Sequence, residues 1–317
     1  MSVQKIKARI IVAANTDRGT HVWCQAFEQA LPGARLIPWN EADEDSRADY
    51  ALVWKPPGAL FRRETRLKAV FNLGAGVDGL LSLPDLPVGL PVVRLEDAGM
   101  TEQMVEYVVH GLLRVSREFA AYETQQRALA WKPLRPVERE QWPVGVMGLG
   151  AIGLSVAQAI ARLGYPVAGW ARSHRDIAGI SVFAGLAQLP AFLARTRVLV
   201  NVLPLTGDTE NILNRQNLER LRAPAYLINV ARGSHLVEQD LLDLLDSGHM
   251  QGALLDVFRV EPLPADHPFW RHEKVTVTPH IAAITLREHT VEQIVNKIHS
   301  LEQGLPVSGL VSRDHGY

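Results

Sequence analysis

Val144-Gly145-Val146-Met147-Gly148-Leu149-Gly150-Ala151-Ile152-Gly153 is the stretch on which the fold turns. The first four residues read as a short buried strand. The next six are G-x-G-x-x-G and open a helix, in which Ile152, Val156, Ile160 and Leu163 recur at helical spacing until Gly164 caps it. Without context that pattern is weak. Between a strand and a helix each glycine has a purpose. The first permits the tight turn, the second lets backbone N–H groups approach a pyrophosphate, and the third lets helix pack on strand. The helix N-terminus adds partial positive charge for the phosphates. Gly148, Leu149, Gly150, Ala151, Ile152 and Gly153 are therefore expected to hold a dinucleotide.

Downstream the same rhythm repeats. Apolar runs at Val167–Trp170, Val198–Val202, Tyr226–Val230, Ala253–Val257 and Val275–Thr278 alternate with helical patterns. Continuous apolar strands separated by helices indicate a parallel sheet buried on both faces. Upstream the alternation is weaker, at Arg9–Ala13, Ala34–Trp39, Tyr50–Trp54, Ala69–Leu73 and Pro91–Leu95. Thr101 reads as the N-cap of a helix to Tyr122, with Met104, Val105, Val108, Leu112, Val115 and Phe119 on its apolar face. A last helix is expected over 287–303, ended by Gly304 and Pro306. The class is α/β, with two Rossmann-like, doubly wound parallel-sheet domains and a cleft between them.

With 317 residues the chain has room for about two domains. Its 47% hydrophobic and 21% charged residues suit globular cores and exclude disorder. Lys and Arg number 33 against 34 Asp and Glu. That balance offers nothing to nucleic acid or to an acidic membrane surface. One cysteine, Cys24, excludes an internal disulfide framework and a Cys-cluster metal site, and no metal is expected. Lys5, Lys7 and Arg9 precede an apolar run, but Asn15, Thr16 and Asp17 end it too soon for a signal peptide. The uncharged stretch Gln141–Ala161 is long enough to span a bilayer, yet its four glycines, Pro143 and Gln158 read as strand, turn and helix. A soluble, cytoplasmic protein is expected.

The dinucleotide fingerprint normally places an acid about 20 residues on, to bind the ribose 2′-hydroxyl of NAD. From Leu154 to Arg175 there is none. After Trp170 the chain reads Ala171-Arg172-Ser173-His174-Arg175. An acid repels a 2′-phosphate, whereas a guanidinium and a hydroxyl bind it. At about 1.5–3 kcal/mol for each charge-assisted hydrogen bond, two contacts shift preference by roughly two orders of magnitude or more. The expected cofactor is NADPH, with NADH weaker, and Trp170, Arg172 and Ser173 join its candidate contacts. Leu203, Pro204, Val230, Ala231 and Asp256, at or beyond strand ends, complete that set. Asp256 reads as a strand-end cap rather than a proton carrier.

Three polar residues fall just past predicted strands: Arg232 in Asn229-Val230-Ala231-Arg232-Gly233, Glu261 in Asp256-Val257-Phe258-Arg259-Val260-Glu261-Pro262-Leu263, and His280 in Thr278-Pro279-His280-Ile281-Ala282-Ala283. In a doubly wound sheet the carboxyl ends of the strands line the ligand crevice. Hydride delivery to a carbonyl builds negative charge on oxygen. An arginine can stabilise that charge, and a histidine partnered by a carboxylate can protonate it.

The glycine loop and these three runs, in this order and over nearly the whole chain, resemble the D-isomer-specific 2-hydroxyacid dehydrogenase family. Val53-Trp54-Lys55-Pro56-Pro57, Leu73-Gly74-Ala75-Gly76-Val77-Asp78, Trp131-Lys132-Pro133-Leu134 and Gly316-Tyr317 are most similar to its A-type glyoxylate/hydroxypyruvate reductase branch. The resemblance implies an NADPH-dependent reductase of small 2-keto acids. It implies Arg232 as carbonyl and carboxylate binder, His280 as proton donor and Glu261 as its orienting partner. It also implies that amides around Ala75, Gly76 and Val77 hold the substrate carboxylate. Glycines there bring N–H groups close to an anion, as in a nest. Trp54, Met100 and Trp270 are bulky candidates for restricting the substrate. The implied domains are a discontinuous substrate domain, 1–100 plus 287–317, and a cofactor domain, 101–286, whose first helix packs on its twin in a homodimer. Trp131 would then approach the partner's site. Where many members keep the NAD-selecting acid, this chain has Ala171. Two alternatives stay open: a dinucleotide-sensing regulatory protein of the same fold, and a dehydrogenase acting on another small anion such as phosphite. The lack of a partner-binding extension and the compact length favour the enzyme.

Overall fold

The computed structural model describes residues 6–15, 17–39, 46–135 and 138–313. Lys5, Thr16 and Gly316-Tyr317, used above, lie outside them. The chain forms two compact units, Met1–Gly99 with Ile284–Tyr317, and Met100–Ala283.

In the first unit the described elements run β1 (Arg9–Ala13), α1 (Asp17–Ala30), β2 (Arg35–Pro38), β3 (Tyr50–Val53), α2 (Ala59–Arg63), β4 (Ala69–Asn72), α3 (Asp78–Leu81) and β5 (Val92–Val93). Their parallel sheet has the order β2-β1-β3-β4-β5, reversing direction at β1 as doubly wound sheets do. The two-residue period of a strand explains how one sheet serves two cores. Ile10 and Val12 pack with Phe27 of α1 and Leu31 just beyond it, while Ile11 and Ala13 pack with Leu60 and Phe61 of α2 and Leu80 of α3.

The second unit continues with α4 (Met100–Ser116), α5 (Phe119–Arg127), β6 (Val144–Met147), α6 (Ala151–Arg162), β7 (Val167–Ala171), β8 (Ser181–Ala184), α7 (Gly185–Ala194), β9 (Val198–Asn201), α8 (Arg215–Leu218), β10 (Ala225–Asn229), α9 (Glu238–Asp246), β11 (Met250–Leu255) and β12 (Val275–Val277). Helix α10 (Arg287–Glu302) returns to the first unit, where Ile294 and Ile298 are buried against β1, β3 and β4 residues. The second sheet is also parallel, ordered β12-β11-β10-β9-β6-β7-β8. Val144, Val146, Val198, Val200 and Ile228 face α4 and α6, whereas Leu199 and Leu227 face the core of α7 and α9. The order reverses at β6, so the loops after β6 and β9 flank a topological switch point.

Two expectations are corrected. The helix expected over 101–122 is two helices, and it begins at Met100, which places Thr101 inside it rather than at the N-cap. Glu118 adopts a left-handed conformation (φ 55°) at the break, and the Arg114 guanidinium clasps the Glu123 carboxylate across the corner at 2.5 and 2.9 Å. Phe119 consequently leaves the apolar face and is exposed. Strand β8 escaped the sequence reading altogether. It sits at the sheet edge, is not fully buried, and its short apolar run Val182-Phe183-Ala184 passes directly into α7 at Gly185.

Candidate active site

The three glycines of the loop after β6 are there for different reasons. Gly148 has φ 96°, a region that L side chains rarely adopt, and a Cβ would lie 2.9 Å from the Val202 carbonyl oxygen beyond β9. At Gly153 a Cβ would fall 1.9 Å from the Gly148 carbonyl, so only glycine lets α6 pack there. Gly150 differs: a Cβ would meet no heavy atom within 4 Å. Neither backbone strain nor packing demands glycine at that point, and the open space suits a ligand's close approach. Gly150 is also the N-cap of α6 and gives it no side-chain cap, which leaves the first-turn amides to an anion.

Adjacent β7 pairs Trp170 with Met147, so its chain end emerges beside the glycine loop. Arg172, Ser173, His174 and Arg175 are all exposed there, with no acid before Asp176. The residues fit NADPH. Leu149 and Trp170, by contrast, place their side chains in the cores. Leu149 packs on Gly169, and the Trp170 indole N–H donates to the Gly185 carbonyl at 2.9 Å. Their side chains build the floor beneath the loop instead of a surface for ligand. Leu203, Val230 and Ala231 are likewise mostly buried, and the Pro204 carbonyl accepts the Thr209 hydroxyl at 2.7 Å.

Past β12, His280 stands in a left-handed conformation (φ 56°), which costs a non-glycine residue about 1–2 kcal/mol. Asp256, buried at the end of β11, holds it there. Its carbonyl oxygen accepts the His280 amide at 2.9 Å, and its carboxylate accepts the amides of Ile281 and Ala282 at 2.8 Å each. The His280 ring then meets Glu261, Nδ1 to Oε2, at 2.8 Å. The other Glu261 oxygen accepts the Phe258 amide at 3.0 Å. Burial opposes the Glu261 charge, but the hydrogen bonds from His280 and Phe258 and the positive charges of His280 and Arg232 outweigh it. The carboxyl is held below its ordinary range. With Nδ1 engaged, Nε2 is the nitrogen left to donate a proton.

Arg232 is placed by a buried polar network that the sequence reading missed. Asn201 and Asn229 end β9 and β10, and each side-chain oxygen accepts the amide two residues on, Leu203 and Ala231, at 3.3 Å. The Nδ2 of Asn201 donates to Asn229 Oδ1 at 3.0 Å and lies 3.1 Å from Nδ1 of fully buried His235. The same Nδ1 lies 3.2 Å from the Arg232 carbonyl, and the other His235 nitrogen, Nε2, lies 3.2 Å from the Pro204 carbonyl. The Arg232 carbonyl accepts from Asn229 Nδ2 at 3.2 Å and from the His235 amide at 3.3 Å. At Gly233 a Cβ would lie 1.8 Å from the Phe258 carbonyl carbon, so this turn presses on the backbone that leads to Glu261. Repetition of Asn-Val at both strand ends was the available signal.

In the first unit the loop after β4 carries Ala75, Gly76 and Val77. Asn72, also missed from sequence, is buried and spends its Nδ2 on the carbonyls of Gly74 and Gly76, at 2.9 and 2.8 Å. A trans peptide points its C=O and N–H in opposite directions. Turning those carbonyls inward therefore projects the Ala75 and Val77 N–H groups outward. Among the described residues no acceptor takes the N–H of Ala75, Gly76 or Val77. Trp54 backs the loop, since a Cβ on Gly74 would lie 2.1 Å from its ring. Amides turned outward in this way suit an anion.

Comparison with known proteins agrees with this chemistry. Residues 109–282 match the family model described as D-isomer specific 2-hydroxyacid dehydrogenase, NAD binding domain. Proteins named glyoxylate/hydroxypyruvate reductase A from Yersinia enterocolitica and Serratia proteamaculans are 45% and 46% identical over 93% of this chain and 96% of theirs. A D-isomer specific 2-hydroxyacid dehydrogenase from Xanthobacter autotrophicus, solved with NADPH and MES, superposes with a TM-score of 0.92 at 39% identity, covering 98% of this chain and 100% of that one. An NADPH-dependent glyoxylate/hydroxypyruvate reductase from Sinorhizobium meliloti, solved with NADP and sulfate, does so with 0.91 at 37% identity and the same coverage. Motifs, sheet order and relatives converge, and the chain belongs to the D-isomer-specific 2-hydroxyacid dehydrogenase family.

Proposed function

We propose that this protein reduces small 2-keto acids, glyoxylate to glycolate and hydroxypyruvate to D-glycerate, with NADPH preferred over NADH. The observation that carries the reading is the 2.8 Å His280–Glu261 pair, which stands at the carboxyl ends of the same parallel sheet as the glycine loop. NADPH, when held by the Gly148–Gly153 loop with Arg172 and Ser173 on its 2′-phosphate, supplies the hydride. Amides of Ala75, Gly76 and Val77 take the substrate carboxylate. As charge grows on the carbonyl oxygen, the Arg232 guanidinium stabilises it and His280 Nε2 releases a proton to it. Glu261, kept ionised by its partners, holds the imidazole in register and offsets the positive charge of its protonated form.

The reading extends to a homodimer. Helix α5 buries none of its residues, and Phe119, Tyr122, Leu129 and Trp131 expose apolar surface that a second copy would cover. It also extends to the cytoplasm, where the free, buried thiol of Cys24 would stay reduced. Among the described residues no helix is long and apolar enough to cross a membrane. Steady-state kinetics over a series of 2-keto acids, with NADPH and NADH in parallel, tests the proposal. Turnover of glyoxylate and hydroxypyruvate with the better kcat/KM for NADPH is expected. Cofactor binding without turnover would leave a dinucleotide-sensing protein, and turnover confined to a non-carboxylate anion would replace the substrate.

A further inference from the structure

Beyond the residues that would touch substrate, the hydrogen bonds around Asp256 continue into the protein. The Thr278 hydroxyl donates to Asp256 Oδ1 at 2.6 Å, and the Tyr107 hydroxyl lies 2.5 Å from Thr278 Oγ1. Threonine has one hydroxyl proton, and Asp256 takes it. Tyr107 must therefore be the donor to Thr278, and the chain reads Tyr107 to Thr278 to Asp256. Burial pushes the Tyr107 phenol above its ordinary value, so it remains a donor across the working range.

We propose that Tyr107 and Thr278 are positioning residues for the proton donor, acting through Asp256 on the loop that carries His280. The inference rests on His280 as that donor. Three consecutive amides, His280, Ile281 and Ala282, end on Asp256, the first on its carbonyl and the others on its two carboxylate oxygens. Both carboxylate bonds form only at one rotation of the Asp256 side chain, and the Thr278 hydroxyl fixes that rotation from the side. Tyr107 anchors the hydroxyl to α4, whose Met104, Val108 and Leu112 are buried in the core. A packed helix thus sets the reference for a left-handed loop residue. Hydrogen-bonded networks of this kind lose more than one contact when a member is removed.

The test uses the full-length protein with Tyr107→Phe, Thr278→Val, Thr278→Ser and the Tyr107→Phe/Thr278→Val double variant. Tyr107→Phe and Thr278→Val should each lower kcat about 3- to 10-fold, the loss of one hydrogen bond to a charge-bearing network. KM for NADPH should stay within about twofold, because the glycine loop is untouched. The double variant should fall no further than Thr278→Val, since both act through one path. Thr278→Ser keeps the hydroxyl and should restore kcat. Hydrogen exchange at the His280, Ile281 and Ala282 amides should quicken in the Phe and Val variants. That readout needs no turnover, so a wild-type protein without reductase activity would refute the function while leaving the positioning measurable. Unchanged kcat and unchanged exchange in both hydroxyl-deleted variants would overturn the proposal. So would equal losses in Thr278→Ser and Thr278→Val, or additive losses in the double variant.

Discussion

Glu261→Gln is the substitution that most directly probes the site, because Glu261 is asked to accept two bonds at once. Oε2 accepts from His280 Nδ1 at 2.8 Å and Oε1 from the Phe258 amide at 3.0 Å. Glutamine offers one oxygen and an NH2 group, so one of the two donors is left facing another donor. A charge-assisted hydrogen bond is worth about 1.5–3 kcal/mol. With side chains 46% and 31% exposed, His280 and Glu261 are partly screened by water, which selects the lower end. About 1.5 kcal/mol corresponds to roughly a tenfold fall in kcat. Steady-state kinetics at saturating NADPH and keto acid should show that loss, with KM for NADPH unchanged. A kcat within twofold of wild type would refute the claim that the carboxylate holds the proton donor. Acid titration gives a second reading. The Glu261 carboxyl is lowered from an ordinary value of 4.5, so its stabilising contribution is complete at neutral pH and is lost as pH falls through the lowered folded-state value. The Tm advantage of wild type over Glu261→Gln should therefore be flat near neutrality and shrink only below pH 4.5. An advantage that vanishes well above that pH would mean that the Glu261 carboxyl is not held below its ordinary value by these partners.

Arg172→Ala should raise KM for NADPH by about 10- to 100-fold, the worth of one charge-assisted contact to a phosphate, while KM for NADH stays within about twofold. Equal effects on both cofactors would remove Arg172 from the 2′-phosphate. Asn72→Asp keeps the shape but has no N–H for the carbonyls of Gly74 and Gly76. KM for the keto acid should rise about tenfold or more at constant KM for NADPH, and a shared rise would point to general loosening instead.

Parallel strands were the most legible part of the fold. Strands β1, β3, β4, β6 and β9 are short runs that are apolar apart from Arg9 at the start of β1 and Asn72 and Asn201 at the ends of β4 and β9, and their bounds in the structure lie within a residue or so of the runs read from sequence. What failed was not fully buried or depended on a distant partner. Strand β8 has no fully buried residue, and its three apolar residues run straight into the apolar helix α7, so nothing in the pattern marks it off as a strand. The break before α5 depends on Arg114 meeting Glu123 and on a left-handed Glu118, and neither changes the helical periodicity that runs through it. In the same way, charged residues at strand ends announce chemistry, whereas the groups that aim them are uncharged or hidden and read as ordinary core or loop.

Those hidden groups follow one rule that links both units. Asn72, Asn201 and Asn229 are the last residues of β4, β9 and β10, and Asp256 follows the last residue of β11; all four are buried. Each governs the loop beyond its strand: Ala75-Gly76-Val77, Leu203-Pro204, Arg232 and His280. A short side chain is required, since the groups to be satisfied lie within a few residues of the strand end or on the neighbouring loop. The choice between amide and carboxylate follows from the partners. Asn72 faces two carbonyls and must donate, whereas the Asp256 carboxylate faces two amides and a hydroxyl and must accept. Asn201 and Asn229 do both and could not be acids, because each Nδ2 donates while its Oδ1 accepts. Strand β6 breaks the rule, ending in Met147 and glycine. There the ligand, not a side chain, has to meet the backbone, and a cap would occupy the space that Gly150 leaves open.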